Sequence, residues 1–329
     1  MIKLVEIVRL SLGTAIQIGL ETGNRDQNFT TAFFMTFRKE GCEANCAFCP
    51  QAVDSTSASD RLSRISWPEY NFQNVLKHWP PPGLFRRICI QTICYPEVVR
   101  DVIEIVDEIR KVSKLPISVA IHPISRKDMS RLKQAGVTNI GIALDASTPE
   151  LFDEVKGKDR DSIYRWKSHR QGLSDALEIF GRGQVTTHLI IGLGETEKQA
   201  ADFISEMFEM GISVGLFAFT NIKGTSLENR QPPDLSSYRR IQVVRHLVSL
   251  GILQPNQVLE KVDGQISLDV DTGSLRESLS SGVAFQVTGC KGCNRPFYNE
   301  RPRGPMYNYP RRLSEDEIQK AIKETNLVS

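Results

Sequence analysis

The chain has 329 residues, of which 40% are hydrophobic, and its 41 Lys and Arg residues against 39 Asp and Glu residues give a net charge of +2. That length and composition suffice for one large α/β barrel or two modest domains with a buried core. The near-neutral charge gives no electrostatic case for binding nucleic acid or an anionic membrane surface, so neither partner is expected.

Six β-rich apolar runs alternate with helix-like stretches from residue 31 onward. This alternation predicts βα units around a parallel sheet, and Pro, Ser or Thr stands near most helix starts. The predicted strands are residues 31–37, 86–93, 116–123, 139–145, 184–194 and 213–222. Six such units predict an α/β fold, a partial (βα)6 barrel of the TIM type over residues 31–251, with its site at the carboxyl ends of the strands.

The two flanks of the barrel differ from it in pattern. Residues 1–30 are expected to form an N-terminal helical extension. Residues 252–329 show little periodicity before a final helix and are expected to form a tail that closes the mouth of the barrel. No apolar run reaches the ~20 residues of a membrane-spanning helix, and the first residues do not have the pattern of a cleaved leader, so the cytoplasm is the expected location.

The first predicted strand leads into the segment GCEANCAFCPQ, which carries Cys42, Cys46 and Cys49. Seven cysteines in all, an odd number with three on one loop, favour metal ligation in a reducing compartment over disulfides. Thiolates are the preferred ligands of iron-sulfur clusters, and three of them leave one iron open for another ligand. A zinc site or buried packing cysteines are the alternatives, although zinc usually takes four ligands in two separated pairs.

This cysteine triplet, with Phe48 before its last Cys, resembles the cluster motif of radical S-adenosylmethionine (SAM) enzymes, and the CPQ that follows resembles biotin synthase. The resemblance implies a 4Fe-4S cluster on the triplet. Its open iron would bind SAM, whose reductive cleavage yields a 5′-deoxyadenosyl radical. It also makes the predicted barrel a radical SAM barrel.

Four further segments resemble biotin synthase in order along the barrel: RICIQTICYPE, IALDASTPELF, IIGLGET and NIKGTSLE. By this resemblance Asp145 binds the ribose of SAM, and Arg165 pairs with its methionyl carboxylate. Ile190, Gly192 and Glu195 shape the adenine side. A helix-cap role for Asp145 and a solvated helix charge for Arg165 are the structural alternatives.

The same comparison disfavours biotin synthase itself. That family holds a 2Fe-2S cluster on cysteines of its second, third and fifth strands. Here Cys89 occupies the second-strand position, but Val119 and Thr186 stand near the other two and cannot ligate iron.

Four cysteines remain outside the triplet. Cys89 and Cys94 flank the end of the second strand, and Cys290 and Cys293 lie in the tail. Together they predict a second, auxiliary 4Fe-4S cluster. A zinc knuckle, or a site made of Cys94, Cys290 and Cys293 with Cys89 packed in the core, are the alternatives.

The tail sequence around Cys290 and Cys293 resembles archaeal lipoyl synthases built from two radical SAM subunits. The resemblance implies sulfur insertion into an octanoyl group on a lysine of a carrier protein, such as the H protein or a lipoyl domain. A second radical SAM subunit and a reductant such as ferredoxin would be partners. Five tail arginines could form a positive dock for an acidic carrier, or simply a solvated surface: Arg295, Arg301, Arg303, Arg311 and Arg312.

Two other functions stay open at this point. The first is another radical SAM reaction near biotin synthase, in which the second cluster is structural or relays electrons. The second is a cluster-bearing scaffold or sulfur-relay partner, which would not need Asp145, Arg165 or the GLGET segment.

Overall fold

The computed structural model describes residues 5–296, 298–300 and 304–328. Twelve strands are present in these ranges. They are β1 (Ile7–Leu10), β2 (Thr31–Met35), β3 (Arg61–Leu62), β4 (Ile65–Ser66), β5 (Glu69–Asn71), β6 (Arg87–Gln91), β7 (Ile117–Ala120), β8 (Val137–Gly141), β9 (Val185–Ile191), β10 (Ser213–Ala218), β11 (Val258–Glu260) and β12 (Ile266–Leu268).

Eight of these strands form one sheet in the order β10-β9-β8-β7-β6-β2-β1-β5. The run from β2 to β10 is parallel throughout, and each of its six strands overlaps a strand predicted from the sequence. The predicted α/β class and the order of the parallel strands are therefore confirmed. Short strands β3 and β4 pair with each other, as do β11 and β12.

The N-terminal extension is not purely helical, which corrects the prediction for residues 1–30. Strand β1 pairs antiparallel with β2 on one side and with β5 on the other. The strand has four residues, too few to show a clear alternation of polar and apolar side chains, so the sequence did not predict it. Its pairing extends the sheet beyond β2, whose edge would otherwise be unpaired.

Ten α-helices connect and cover the strands in the described ranges. They are α1 (Leu12–Gln17), α2 (Phe72–Lys77), α3 (Val98–Val112), α4 (Arg126–Gln134), α5 (Pro149–Val155), α6 (Trp166–Phe180), α7 (Glu197–Met210), α8 (Leu235–Ser249), α9 (Thr272–Leu279) and α10 (Glu315–Thr325). None of them combines the length and the apolar character that crossing a membrane requires.

Local sequence explains where the crossover helices begin. Thr196 and Gln199 form a reciprocal capping box at the start of α7, and Thr148 caps α5 with Pro149 in its first turn. Helix α3 then buries one apolar stripe, including Val102, Ile105 and Ile109. These helices cover the outside of the sheet and leave its inner face free to surround a cavity.

Residues from all six parallel strands line one cavity, with Gly141 as the residue from β8, so the sheet curls into a partial barrel around it. Phe33 of β2, Cys89 of β6, Val119 of β7, His188 of β9 and Phe217 of β10 are among them. We call the end at which the parallel strands finish the mouth and the end at which they start the floor.

The tail runs along the open side of the barrel, and its residue Asn299 also meets Thr220 beyond the carboxyl end of β10, where Thr220 Oγ1 donates to Asn299 O at 3.5 Å. Edge strand β10 has backbone groups without a neighbouring strand, and Thr288 Oγ1 accepts a hydrogen bond from Leu216 N at 2.9 Å. Asn294 then reaches the residues before β2, where its Oδ1 accepts from Thr30 N at 3.0 Å and its Nδ2 donates to Asn28 O. Residues 290–294 thereby reach the floor.

The tail also contains more regular structure than its sequence suggested. The hairpin of β11 and β12 and helix α9 precede the final helix α10, and Leu275 and Leu279 of α9 are buried. Each element is short, so none repeats its hydrophobic period often enough to be recognised from sequence.

Asn294→Ala should lower the free energy of unfolding by about 1 to 3 kcal/mol, because it leaves Thr30 N and Asn28 O without their partner. Urea denaturation followed by circular dichroism measures the change. The matched control is Asn74→Ala on the exposed side of α2, expected within about 0.5 kcal/mol of the parent chain. Equal stability of the two variants would show that this attachment of the tail contributes nothing.

Candidate active site

The cysteine triplet lies at the mouth, on the loop that follows β2. Cys46 is buried and Cys42 and Cys49 are half-buried, and all three line the cavity as free thiols. Cys49 N donates to Cys46 O at 3.0 Å in a tight turn, and Ala44 N donates to Cys42 Sγ at 3.4 Å. The loop therefore brings three thiols to one wall of the cavity.

The burial of these thiols is compatible with a bound cluster. Desolvation raises the pKa of Cys49 to about 12 and that of Cys46 well above its ordinary value, and each thiolate would further repel the others. A metal centre removes this penalty, since coordination deprotonates a thiol outright. Three convergent, desolvated thiols without a disulfide thus fit an iron-sulfur cluster.

Asp145, Phe48 and Ile190, which the sequence analysis assigned to a SAM site, line the same cavity. Asp145 follows β8 and adopts a left-handed backbone conformation with φ of 65°. Its Oδ2 accepts a hydrogen bond from Lys156 Nζ at 2.6 Å, while its Oδ1 has no partner in the described part of the chain. One oxygen of Asp145 thus remains available for a ligand such as a ribose hydroxyl.

Arg165 is not in the cavity, which corrects its predicted pairing with a carboxylate there. The residue is exposed just before α6, and its Nη1 donates to Ser162 O at 2.5 Å and to Tyr164 O at 2.7 Å. The guanidinium is used to hold the loop before α6.

Gly192 and Glu195 also lie outside the cavity lining, although they shape the turn that follows β9. The Glu195 carboxylate accepts from Gly192 N at 2.7 Å and from Leu193 N at 3.1 Å. Gly192 has φ of 103°, and a Cβ there would stand 2.9 Å from Pro233 Cδ. Their observed role is to fix this turn next to the mouth.

A second group of thiols lies deeper, toward the floor. Cys89 faces the cavity from the middle of β6, and Cys290 and Cys293 reach it from the tail. Burial, and after it repulsion from the Cys293 and Cys290 thiolates, raises the pKa of Cys89. Gln91 Nε2 donates to Cys89 Sγ at 3.0 Å, and Ser118 Oγ donates to Cys290 Sγ at 3.3 Å. We call Cys89, Cys290 and Cys293 the second trio.

Cys94 does not join the second trio, which corrects the predicted four-cysteine site. It lies beyond the end of β6 at the mouth, where its backbone N donates to Cys42 Sγ at 3.3 Å and its side chain packs against Tyr164. It follows Cys89 by five positions, up to about 16 Å along an extended chain at ~3.3 Å per residue. The alternative with Cys94 bound and Cys89 packed is disfavoured by the same geometry.

No three His, Cys, Asp or Glu side chains among the described residues surround a position for a single metal ion. Zinc holds sulfur ligands about 2.3 Å away, which draws them close together. In a polynuclear cluster each thiolate binds a different iron, so the ligands are spread more widely.

Of the five tail arginines, the three that the structure describes do not lie on one surface. Arg295 lies inside, 4.1 Å over the Phe217 ring, and its Nη1 donates to Thr288 O at 2.9 Å. Arg311 pairs with Glu317 through two contacts of 2.8 Å, and Arg312 is exposed. Arg301 and Arg303 lie outside the described residues. Arg295 is thereby removed from the predicted dock.

Several polar residues of the cavity escaped the sequence analysis. Lys156, His122, His188, Ser118 and Tyr298 line it. His188 alternates with Thr186 and Ile190 along β9, so the period of the strand could have revealed it. Lys156 stands among other charges in EVKGKDR, and no sequence signal distinguishes it from solvated neighbours.

Comparison with known proteins agrees with this geometry. A sequence profile of the Radical SAM superfamily matches residues 36–207, just over half of the chain. The biotin synthase of Prochlorococcus marinus strain AS9601 is 24% identical over 305 residues, covering 88% of this chain and 81% of the relative. That of Methanococcus maripaludis is 24% identical over 228 residues, covering 68% of this chain and 66% of the relative.

Among solved structures, methylornithine synthase superimposes with a TM-score of 0.53 at 16% identity. The match covers 80% of this chain and 73% of that one. At this identity the likeness concerns the fold alone.

The division of the remaining cysteines predicts how metal content responds to substitution. Cys89→Ser should remove about four irons per chain from anaerobically reconstituted protein, the content of one cubane cluster, whereas Cys94→Ser should leave the iron content unchanged. Iron and sulfide assays measure both variants. Loss of iron in the Cys94 variant and not in the Cys89 variant would reverse the assignment.

Proposed function

The chain belongs to the Radical SAM superfamily, and from that premise we propose that it inserts sulfur into unactivated C–H bonds of an octanoyl group carried on a lysine of a protein. The observation that supports the proposal is a single cavity with free cysteine thiols at both ends, the triplet at the mouth and the second trio toward the floor. A substrate between them would face both groups.

Cys42, Cys46 and Cys49 would hold the first cluster. When bound there, a reduced 4Fe-4S cluster with SAM supplies a 5′-deoxyadenosyl radical that abstracts a hydrogen atom from an unactivated carbon. The chain's part is to keep this end of the cavity dry, since Ala44 and Cys46 are buried and Tyr164 packs against them. Exclusion of water protects a reactive species from side reactions.

Cys89, Cys290 and Cys293 would hold the second cluster, which would supply sulfur to the substrate. The surrounding residues anchor the tail loop that carries two of these thiols. The Arg87 guanidinium donates to Lys291 O and to Ser118 Oγ, and its Nη2 donates to Asn139 Oδ1 at 3.0 Å. The loop is thereby tied to three strands of the barrel floor.

The walls between the two cysteine groups suit an alkyl chain. They include Phe33, Val119, Ile121, Phe217 and Phe219. A saturated acyl chain gains about 25 cal/mol per Å² of apolar surface removed from water. The mouth would admit it from the surface, as a chain attached to the lysine of a carrier protein requires.

The proposed partners follow from the substrate and from the resemblance of the tail to two-subunit lipoyl synthases. They are an octanoylated carrier, such as the H protein or a lipoyl domain, a second radical SAM subunit, and a reductant such as ferredoxin. Arg312, exposed before α10, is the tail arginine that remains free to meet an acidic carrier among the described residues.

Replacing Cys42, Cys46 and Cys49 together by Ala should abolish reductive cleavage of SAM. The barrel should stay folded because the loop lies outside the strands, and reconstituted protein should carry about four fewer irons per chain. Release of 5′-deoxyadenosine, measured by chromatography with dithionite as the reductant, checks the claim. A triple variant that still releases 5′-deoxyadenosine would remove the triplet from the active site.

Sulfur transfer separates the proposed reaction from its alternatives. Protein reconstituted with heavy sulfide should transfer heavy sulfur to an octanoyl-lysine peptide, supplied with the partner subunit where needed, as read by mass spectrometry. The Cys290→Ser, Cys293→Ser double variant should still cleave SAM, because the triplet is separate, but should yield no thiolated peptide.

Other outcomes point elsewhere. SAM cleavage with unlabelled product, or with no thiolated product, would favour a second cluster that is structural or relays electrons. No SAM cleavage by the parent chain under any condition would favour a scaffold or sulfur-relay partner.

A further inference from the structure

Lys156 is a buried cation at the mouth of the cavity. Its side chain is 6% exposed, and Nζ donates to Asp145 Oδ2 at 2.6 Å and to Ala143 O at 2.7 Å. The ammonium also lies 5.3 Å from the centre of the Tyr164 ring. A charge this far from water requires an unusually complete set of partners.

That set is incomplete in the described part of the chain. An ammonium group has three donors, and Asp145 and Ala143 take two of them. Lys156 lines the same cavity as the cysteine triplet, and its charge acts on Cys46 and Cys49. One donor of a buried cation is therefore left for a ligand next to the triplet.

Lys156 also carries the positive charge of the mouth. The other cation that lines the cavity in the described ranges, Arg295, is turned to Thr288 O and Leu216 O. Burial lowers the pKa of His122 to about 4 and that of His169 to about 2, so both imidazoles are neutral near pH 7. An anionic group that enters the mouth would meet Lys156.

The strained backbone at Asp145 is held in place by hydrogen bonds, which supports the ion pair of Asp145 with Lys156. A non-glycine residue at φ of 65° is strained and persists where neighbours hold it. Here Asp145 N donates to His188 O and Ile190 N donates to Asp145 O, both at 2.9 Å. The two bonds keep the Asp145 carboxylate against Lys156, so the lysine is fixed before a ligand arrives.

We propose that Lys156 binds the carboxylate of the amino-acid portion of SAM, with Asp145 as the residue that positions it. The inference rests on the SAM-dependent function proposed above. It transfers to Lys156 the task that the sequence suggested for Arg165, whose guanidinium faces loop carbonyls outside the cavity.

Binding of two ligands tests the proposal: SAM and decarboxylated SAM, which lacks only the carboxylate. With reconstituted protein in equilibrium dialysis, Lys156→Met should weaken SAM binding by about ten- to a hundredfold, as expected for a charge-assisted hydrogen bond. The same variant should change the affinity for decarboxylated SAM by less than about twofold. Lys158→Met, at an exposed lysine paired with Asp153 at 3.1 Å, is the matched control and should change neither affinity.

A second variant guards against misfolding, because Lys156→Met leaves Asp145 buried without its partner. The Asp145→Asn, Lys156→Met double variant removes both charges and should retain the iron content and thermal unfolding of the parent chain. It should also have lost the preference for SAM that depends on the carboxylate.

Three results would overturn the inference. They are an unchanged SAM affinity in both Lys156 variants, an equal loss for the two ligands, or a selective loss of SAM binding in Arg165→Met, which would assign the carboxylate to Arg165. Failure of the parent chain to bind SAM at all would instead refute the SAM-dependent function, so the two failures are distinguishable.

Discussion

The unpaired edge of β10 is the constraint on which the rest of the structure depends. A sheet of six parallel strands that curls without closing leaves backbone donors and acceptors exposed at this edge, and burying them unpaired would cost free energy. The tail meets the need through Thr288 and Arg295, which bond Leu216 of β10. The tail also carries Cys290 and Cys293. The same packing of the tail against β10 that seals the barrel therefore brings these two cysteines to the cavity and forms the second trio.

The same geometry separates the two groups of thiols. Loops at the carboxyl ends of parallel strands meet at the mouth, which collects Cys42, Cys46, Cys49 and Cys94. The tail segment that carries Cys290 and Cys293 lies at the amino ends, where Asn294 bonds residues before β2 and Arg87 bonds Lys291 O. Cys89 can join only the deeper group, because its strand position places it below the mouth.

Electrostatics acts in the same way on the thiols at the two ends. At the mouth, burial raises the pKa of the thiols and Lys156 with Asp145 provides the buried ion pair beside them. Deeper in the barrel, burial likewise raises the pKa of Cys293, and the charges of Arg295 and Arg87 oppose that rise. A buried cation next to each thiol group offsets part of the cost of holding negative charge there.

The sequence by itself determined the parallel α/β class, the six strands, and the triplet on the loop after β2, because period, order and close spacing are local properties. Only the tertiary structure decided the partners of residues distant in the chain. Cys94 follows Cys89 by five positions yet belongs to the other end of the cavity, and Arg165 resembles a ligand residue yet turns outward. For Lys156 the sequence gives no sign of a role in the cavity, but its burial against Asp145 distinguishes it from the charged residues around it. Side-chain direction and burial arise from packing between segments, and the linear sequence does not encode them at any single position.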